Sequence, residues 1–127
     1  MLKDFTQLEA WRKAMDLAVK VHRFTYSFPK EELYGVVSQM RRASLSIAAN
    51  IAEGFGRYTY ADKMHKYVQA RGELIEVMTF SHYSHRVEYL SSEQHADLLE
   101  DCQHVHRLLN ALISKMDKMN HAPSPKS

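Results

Sequence analysis

Between Gln39 and Arg57 the chain reads QMRRASLSIAANIAEGFGR, and on a helical wheel this stretch carries two apolar faces separated by a polar seam. Met40, Ser44, Ile47 and Ile51 recur at helical spacing on one face, and Leu45, Ala48, Ala52 and Phe55 on the other. A helix that serves a single core needs one such face, so the second, whose alanines permit close helix approach, marks a candidate oligomer interface. Gln39, Arg42, Ser46, Asn50, Glu53 and Arg57 step by three or four and line up donors and acceptors between apolar flanks, where an unpaired polar group is costly. That seam requires a partner. Another helix of the same subunit, a neighbouring subunit, or an anionic ligand reaching Arg41, Arg42 and Arg57 would each serve.

Three further segments show helical punctuation. Thr6-Gln7-Leu8-Glu9 has the form of a capping box, and the stripe Leu8, Trp11, Met15, Ala18, His22, Thr25 carries a first helix to about Tyr26, where Ser27-Phe28-Pro29 stops it. Pro29 to Leu33 reads as a connecting turn. The second helix is expected from Tyr34 to Phe55, closed by Gly54 and Gly56 through positive φ. Thr59-Tyr60-Ala61-Asp62 launches a third, through Met64, Tyr67, Val68, Leu74, Ile75, Met78, His82 and His85 to about Tyr89. Gly72 in its interior suggests that another backbone approaches closely there. Ser91-Ser92-Glu93-Gln94 caps a fourth helix, in which Leu98, Cys102, Val105, Leu109, Leu112 and Met116 alternate by four and three. No strand pattern competes. Short connections favour antiparallel neighbours, so the expectation is an all-α, up-down-up-down four-helix bundle forming a single domain over residues 1–120, with a loose proline-containing tail at 121–127.

Composition narrows the function. With 127 residues and 45% hydrophobic content the chain suits one domain with a real core. No apolar run is long enough to span a bilayer and the N-terminus lacks a signal-peptide stretch, so a cytoplasmic protein without membrane contact is expected. The net charge of +2 is small but unevenly spread: residues 1–66 carry 11 Lys/Arg against 7 Asp/Glu, residues 67–127 carry 6 against 8. Arg41, Arg42, Arg57, Lys63, Lys66 and Arg71 face only Glu53 and Asp62 in the same stretch, which makes them candidate phosphate contacts. Basic and aromatic residues interleave at Phe55-Gly56-Arg57-Tyr58-Thr59-Tyr60, a composition suited to phosphates and stacked bases; the same residues also suit a solvated loop covering the bundle end.

Catalytic chemistry is not evident. Gly54-Phe55-Gly56 follows a helix and lacks the Lys-Ser/Thr of a phosphate loop. No Glu-x-x-His motif offers a di-iron site. Cys102 sits at a core position, and Ser44 and Ser46 have no His/Asp partner on the wheel. His82-x-x-His85 and His104-x-His106 invite a metal reading, but His82 and His85 continue a helical stripe and His104 and His106 fall on different faces. No catalytic residue, metal or cofactor is expected.

Together, Phe5 with Leu8-Glu9-Ala10-Trp11 and Ala14, Phe28-Pro29-Lys30-Glu31-Glu32 with Tyr34-Gly35, Ser38-Gln39-Met40-Arg41-Arg42-Ala43 through Ser46-Ile47, Asn50-Ile51-Ala52-Glu53-Gly54, and Tyr89-Leu90-Ser91 carry a resemblance. The chain resembles, from about Phe5 to Met116, the four-helix-bundle proteins encoded within intervening sequences of bacterial 23S ribosomal RNA genes. It departs at Ala48, where family members often carry proline. The resemblance implies a closed bundle that assembles into a ring of five, and a similarity to the basic accessory protein of diversity-generating retroelements, which associates with a reverse transcriptase and nucleic acid. It supplies no catalytic residue. The expected function is therefore a non-enzymatic, ring-forming protein associated with nucleic acid through its basic patch, with a protein-interaction scaffold or reverse-transcriptase accessory subunit as the alternative.

Overall fold

The computed structural model describes residues 2–123, and among them every regular element is helical. Four helices dominate: α1 Glu9–Thr25, α2 Ser38–Gly56, α3 Tyr60–Arg86 and α4 Ser92–Asn120. Packing is most extensive between α2 and α3 and between α3 and α4, and α1 closes the circuit against α2 and α4 while diagonal pairs barely touch, which fits an up-down-up-down order. All four feed one hydrophobic core. The expected tail begins after Asn120, and its residues 124–127 lie outside the described part of the chain.

The helix boundaries follow from local chemistry. The Ser91 hydroxyl accepts from the Gln94 amide at 3.0 Å, and the Gln94 side chain accepts from the Ser91 amide at 3.1 Å, a complete capping box. Thr59 caps α3 through the Asp62 amide at 3.1 Å. The expected box at Thr6 is absent, because Asp4 takes over: its carboxylate accepts from both the Thr6 amide and hydroxyl, making a short 3-10 turn at Phe5–Gln7 before α1. Similarly, α2 begins at Ser38 rather than Tyr34. A wide, π-like turn over Leu33–Val37 precedes it, and Gly35 within that turn leaves helical geometry at φ −113°, ψ −117°.

Which residues fill the core differs from expectation along α1 and α3 and at Ala48 of α2. α4 buries Leu98, Cys102, Val105, Leu109 and Met116 as expected. On α1 the buried line is Ala10, Ala14, Leu17, Val21 and Thr25; Trp11, Met15 and Ala18 are half-buried and His22 is exposed. On α3 the core takes Tyr67, Ala70, Leu74, Val77, Ser81 and Ser84, leaving Val68, Ile75 and His82 outside. Ser81 enters the core by donating to the Val77 carbonyl at 2.7 Å, so its hydroxyl is satisfied within the helix.

The close approach expected at Gly72 occurs at Gly54 instead. A Cβ at Gly72 would meet nothing within 4 Å, so no backbone approaches there; at Gly54 it would lie 2.6 Å from the Tyr67 ring. Gly54 thus permits the tight α2–α3 contact. No glycine has positive φ, and α2 closes instead with the Arg57 amide donating to the Gly54 carbonyl at 3.2 Å.

Candidate functional site

Helix α2 presents three different surfaces. Its core face buries Met40, Ala43, Ser44, Ile47, Ala48, Ile51 and Gly54. Ala48 therefore belongs to the subunit's own core and is unavailable to the oligomer interface expected of it. The remaining members of that set scatter: Leu45 is 55% exposed, Ala52 is half-buried, and Phe55 packs against the edge of the core with the Lys63 ammonium 5.5 Å from its ring centroid.

The polar seam finds its partner in α3. Arg42 donates to Glu73 at 3.1 Å and to Glu76 at 2.9 Å. Asn50 donates to the Ser46 carbonyl at 3.0 Å and to its hydroxyl at 3.2 Å, within α2 itself. Glu53 pairs with Lys66 at 3.1 Å and more loosely with Arg57 at 3.8 Å. Gln39, at the start of the seam, faces solvent. Partial burial pushes the Glu73 carboxyl up, but hydrogen bonds from Glu76, Ser46 and Arg42 outweigh it and hold it below its ordinary value. Glu76, hydrogen-bonded to Glu73 and facing its charge, is raised. Asn50, Lys66, Gln69, Gly72, Glu73 and Glu76 line an open polar groove of about 440 Å³ between the helices. Mixed charge and exposure give it no preference for an anion.

The six candidate phosphate contacts do not form one patch. Arg41 turns to α1, donating to the Thr25 hydroxyl at 3.0 Å and the His22 carbonyl at 3.2 Å, so its charge sits on that helix's C-terminal end. Arg42 and Lys66 are ion-paired on the α2–α3 flank. Lys63 donates to the Phe55 carbonyl at 2.5 Å and closes the end of α2. Arg71 reaches across to the Asn110 side chain at 2.9 Å on α4. Arg57 keeps the loosest partner, and beside it Tyr58 is 97% exposed.

On the α1 flank of α2 lies a groove of a different kind. Met15, Ala18, Val19, His22, Arg41 and Leu45 line about 260 Å³ of mostly apolar surface. Val19 is 44% exposed and Leu45 55%. Val19 carries no role in the α1 stripe read from sequence, which followed Met15 and Ala18 as core.

Elsewhere the chemistry is restrained. Burial pushes the Cys102 thiol up to about 12, so it is protonated at neutral pH. The Ser44 hydroxyl donates to the Arg41 carbonyl at 3.2 Å. His104 and His106 are not brought to His82 and His85; the third member of that group is His95, whose Nε2 lies 3.1 Å from His82 Nδ1 and whose ring stacks on His85 at 4.3 Å. Among the described residues no three such ligands are arranged to hold a metal ion. Two residues that sequence reasoning missed, Glu73 and His95, were signalled only by position: Glu73 by its spacing to Glu76 on the helix packed against the seam, His95 by lying one turn beyond the Ser91 cap.

The family model of the 23S rRNA-intervening sequence proteins matches residues 6–111, which takes in α1 to α3 and most of α4. The chain belongs to that family. It is also similar to a crystal structure of a protein of unknown function from the S23 ribosomal protein family of Bacteroides thetaiotaomicron, with a TM-score of 0.74 and 25% identity over 82% of this chain and 97% of that one. No curated protein matches it significantly. Among the described residues no helix is long and apolar enough to cross a membrane.

Proposed function

We propose that this family member is a non-enzymatic, self-associating bundle that serves as a scaffold for other macromolecules. The observation that carries the reading is the contrast on α2: its seam is satisfied by α3 of the same subunit, while the α1–α2 groove leaves Val19 and Leu45 in solvent. Apolar surface removed from water contributes roughly 25 cal/mol per Å², so a second copy gains by covering the groove. Val68 and Ile75, exposed aliphatic residues seven apart on α3, offer the counter-face. A groove meeting a different face is a heterologous contact, which closes into a ring or runs on as a filament. The ring of five implied by the sequence resemblance is one such closure. Cys102, protonated in the core, and Ser44, engaged by a backbone carbonyl, support the non-enzymatic part of the reading.

The test is light scattering on a sizing column at micromolar concentration. A discrete oligomer is expected, and Leu45→Glu should dissociate it into folded subunits; a wild-type monomer sinks the proposal.

A second reading is favoured by one observation, the exposure of Tyr58 beside the loosely paired Arg57 at the α2–α3 turn. We propose this turn as the point of nucleic-acid contact, with Arg57 on phosphate and Tyr58 stacking on a base. Repetition of the turn around a ring multiplies a weak single contact. Salt-dependent binding of single-stranded RNA that Arg57→Ala and Tyr58→Ala weaken together is expected. Binding insensitive to both variants, or no binding at low salt, removes the nucleic-acid reading and leaves a protein partner, such as the reverse transcriptase that the resemblance implies.

A further inference from the structure

Three imidazoles meet where α3 ends and α4 begins. His82 and His85 lie three residues apart on α3, and His95 comes from the first turns of α4. The His82 and His95 rings meet edge to face with centroids 4.9 Å apart, their facing nitrogens 3.1 Å apart, and the His85 and His95 rings stack at 4.3 Å within 8° of parallel. His85 also reaches the Ser92 hydroxyl at 3.2 Å. Parallel stacked rings direct their lone pairs along parallel planes, so His85 and His95 cannot converge on one metal ion, and the cluster calls for another explanation.

We propose that His82, His85 and His95 form a pH-sensitive clasp that holds the α3–α4 turn closed while the three rings together carry at most one positive charge and loosens it when a second ring is protonated. One positive charge is compatible with the His82–His95 contact, because one facing nitrogen still donates and the other accepts. A second places like charges within stacking or hydrogen-bonding distance, with little to offset them. Glu88, three residues after His85, is exposed in the turn. Arg86 follows His82 by four residues on α3 and adds positive charge. Asp97, two residues beyond His95, is held on the other flank by Lys20 of α1 at 2.7 Å, and Glu93, two residues before it, points to a different face of α4.

The turn under the clasp is poised to respond. The Tyr89 and Leu90 amides both donate to the Ser84 carbonyl, at 2.8 and 3.1 Å, and Glu88 sits at φ 66°, a left-handed conformation costly for a side chain with a Cβ. Partial burial first, then the charges of His85 and His82, hold the His95 imidazole below its ordinary value of 6.5. A base depressed in the fold stabilises it above the unfolded pKa, and that contribution is lost as pH falls from there through the folded value.

The experiment is an NMR titration of the full chain between pH 7.5 and 5, in the presence of a chelator, following the histidine rings and amide exchange at Tyr89 and Leu90. His95 should titrate below a histidine of the denatured chain. Exchange at the two amides, corrected for its intrinsic pH dependence, should rise several-fold as His95 protonates. His95→Gln, which retains a hydrogen-bonding group without the charge, should flatten that rise. Unchanged protection across the range in the wild-type chain, or the same rise in His95→Gln, overturns the proposal; a cluster that titrates differently without chelator points to a metal and overturns it too. Should His95→Gln not fold, the wild-type titration decides alone.

Discussion

On its α3 flank helix α2 is polar and finished; on its α1 flank it is apolar and open. Arg42 and Glu53 each meet a partner on α3 and Asn50 one within α2, so the surface that looked most in need of a ligand is largely satisfied inside the subunit. Leu45, read from the sequence as part of an oligomer interface, is left exposed on this flank together with Val19. The difference teaches that a line of charged residues on a helix is weak evidence for an external partner when the next helix carries complementary charges at matching spacing. Charge is satisfied locally and cheaply, at the cost of little more than rotamer freedom. Apolar area is satisfied only by more surface, and a 127-residue bundle has a limited supply.

The contrast breaks most severely at the tight point of the closed flank. Gly54→Ala places a methyl group 2.6 Å from the Tyr67 ring, which is buried and cannot swing aside. Overpacking of this kind costs about 2 kcal/mol, and the variant should lower the thermal midpoint by several degrees. Gly72→Ala, with nothing within 4 Å, should instead stabilise the fold by roughly 0.5–1 kcal/mol through helix propensity alone. Calorimetry of the two variants separates a glycine that packs from one that merely occupies a helix; equal effects contradict the assignment of the close approach to Gly54.

A smaller loss is expected at the ion pairs. Arg42→Ala leaves Glu73, whose side chain is only 16% exposed, beside Glu76 with no cation between them. Because Arg42 itself is half in solvent, the penalty should be about 1 kcal/mol, measured by urea unfolding. Oligomer size should be unaffected. If Arg42→Ala dissociates the oligomer with no loss of subunit stability, the seam belongs to the assembly and the comparison of flanks is wrong.

These features were unequally legible in the sequence. Helix α4 was read correctly because its apolar residues fall on one narrow stripe behind a complete capping box. Helix α1 is apolar around much of its circumference, and the bulky residues Trp11 and Met15 drew the stripe toward themselves. The core took the neighbouring line of Ala10, Ala14, Leu17 and Val21, since small residues allow the helices to approach more closely. On α3 Ser81 concealed a core position, its polarity cancelled by a bond to its own helix that no periodicity reveals. The basic residues were correctly seen as clustered in sequence. What the sequence lacked was their direction: Arg41, Arg42 and Arg71 point to three different helices.

The smallest effect on the subunit should come from the open flank, and its smallness is the point. Leu45→Ser removes an apolar side chain that is already 55% exposed, so unfolding measured at dilution, where the subunit stands alone, should change by less than about 0.5 kcal/mol. If a neighbour covers the groove, the same substitution acts differently at higher concentration: the wild-type midpoint rises with protein concentration by mass action, and that rise should shrink in the variant. Arg42→Ala predicts the reverse pattern, a constant deficit at every concentration. A Leu45→Ser chain whose midpoint tracks the wild type at all concentrations would mean that water, and no second copy, is what the α1–α2 groove faces.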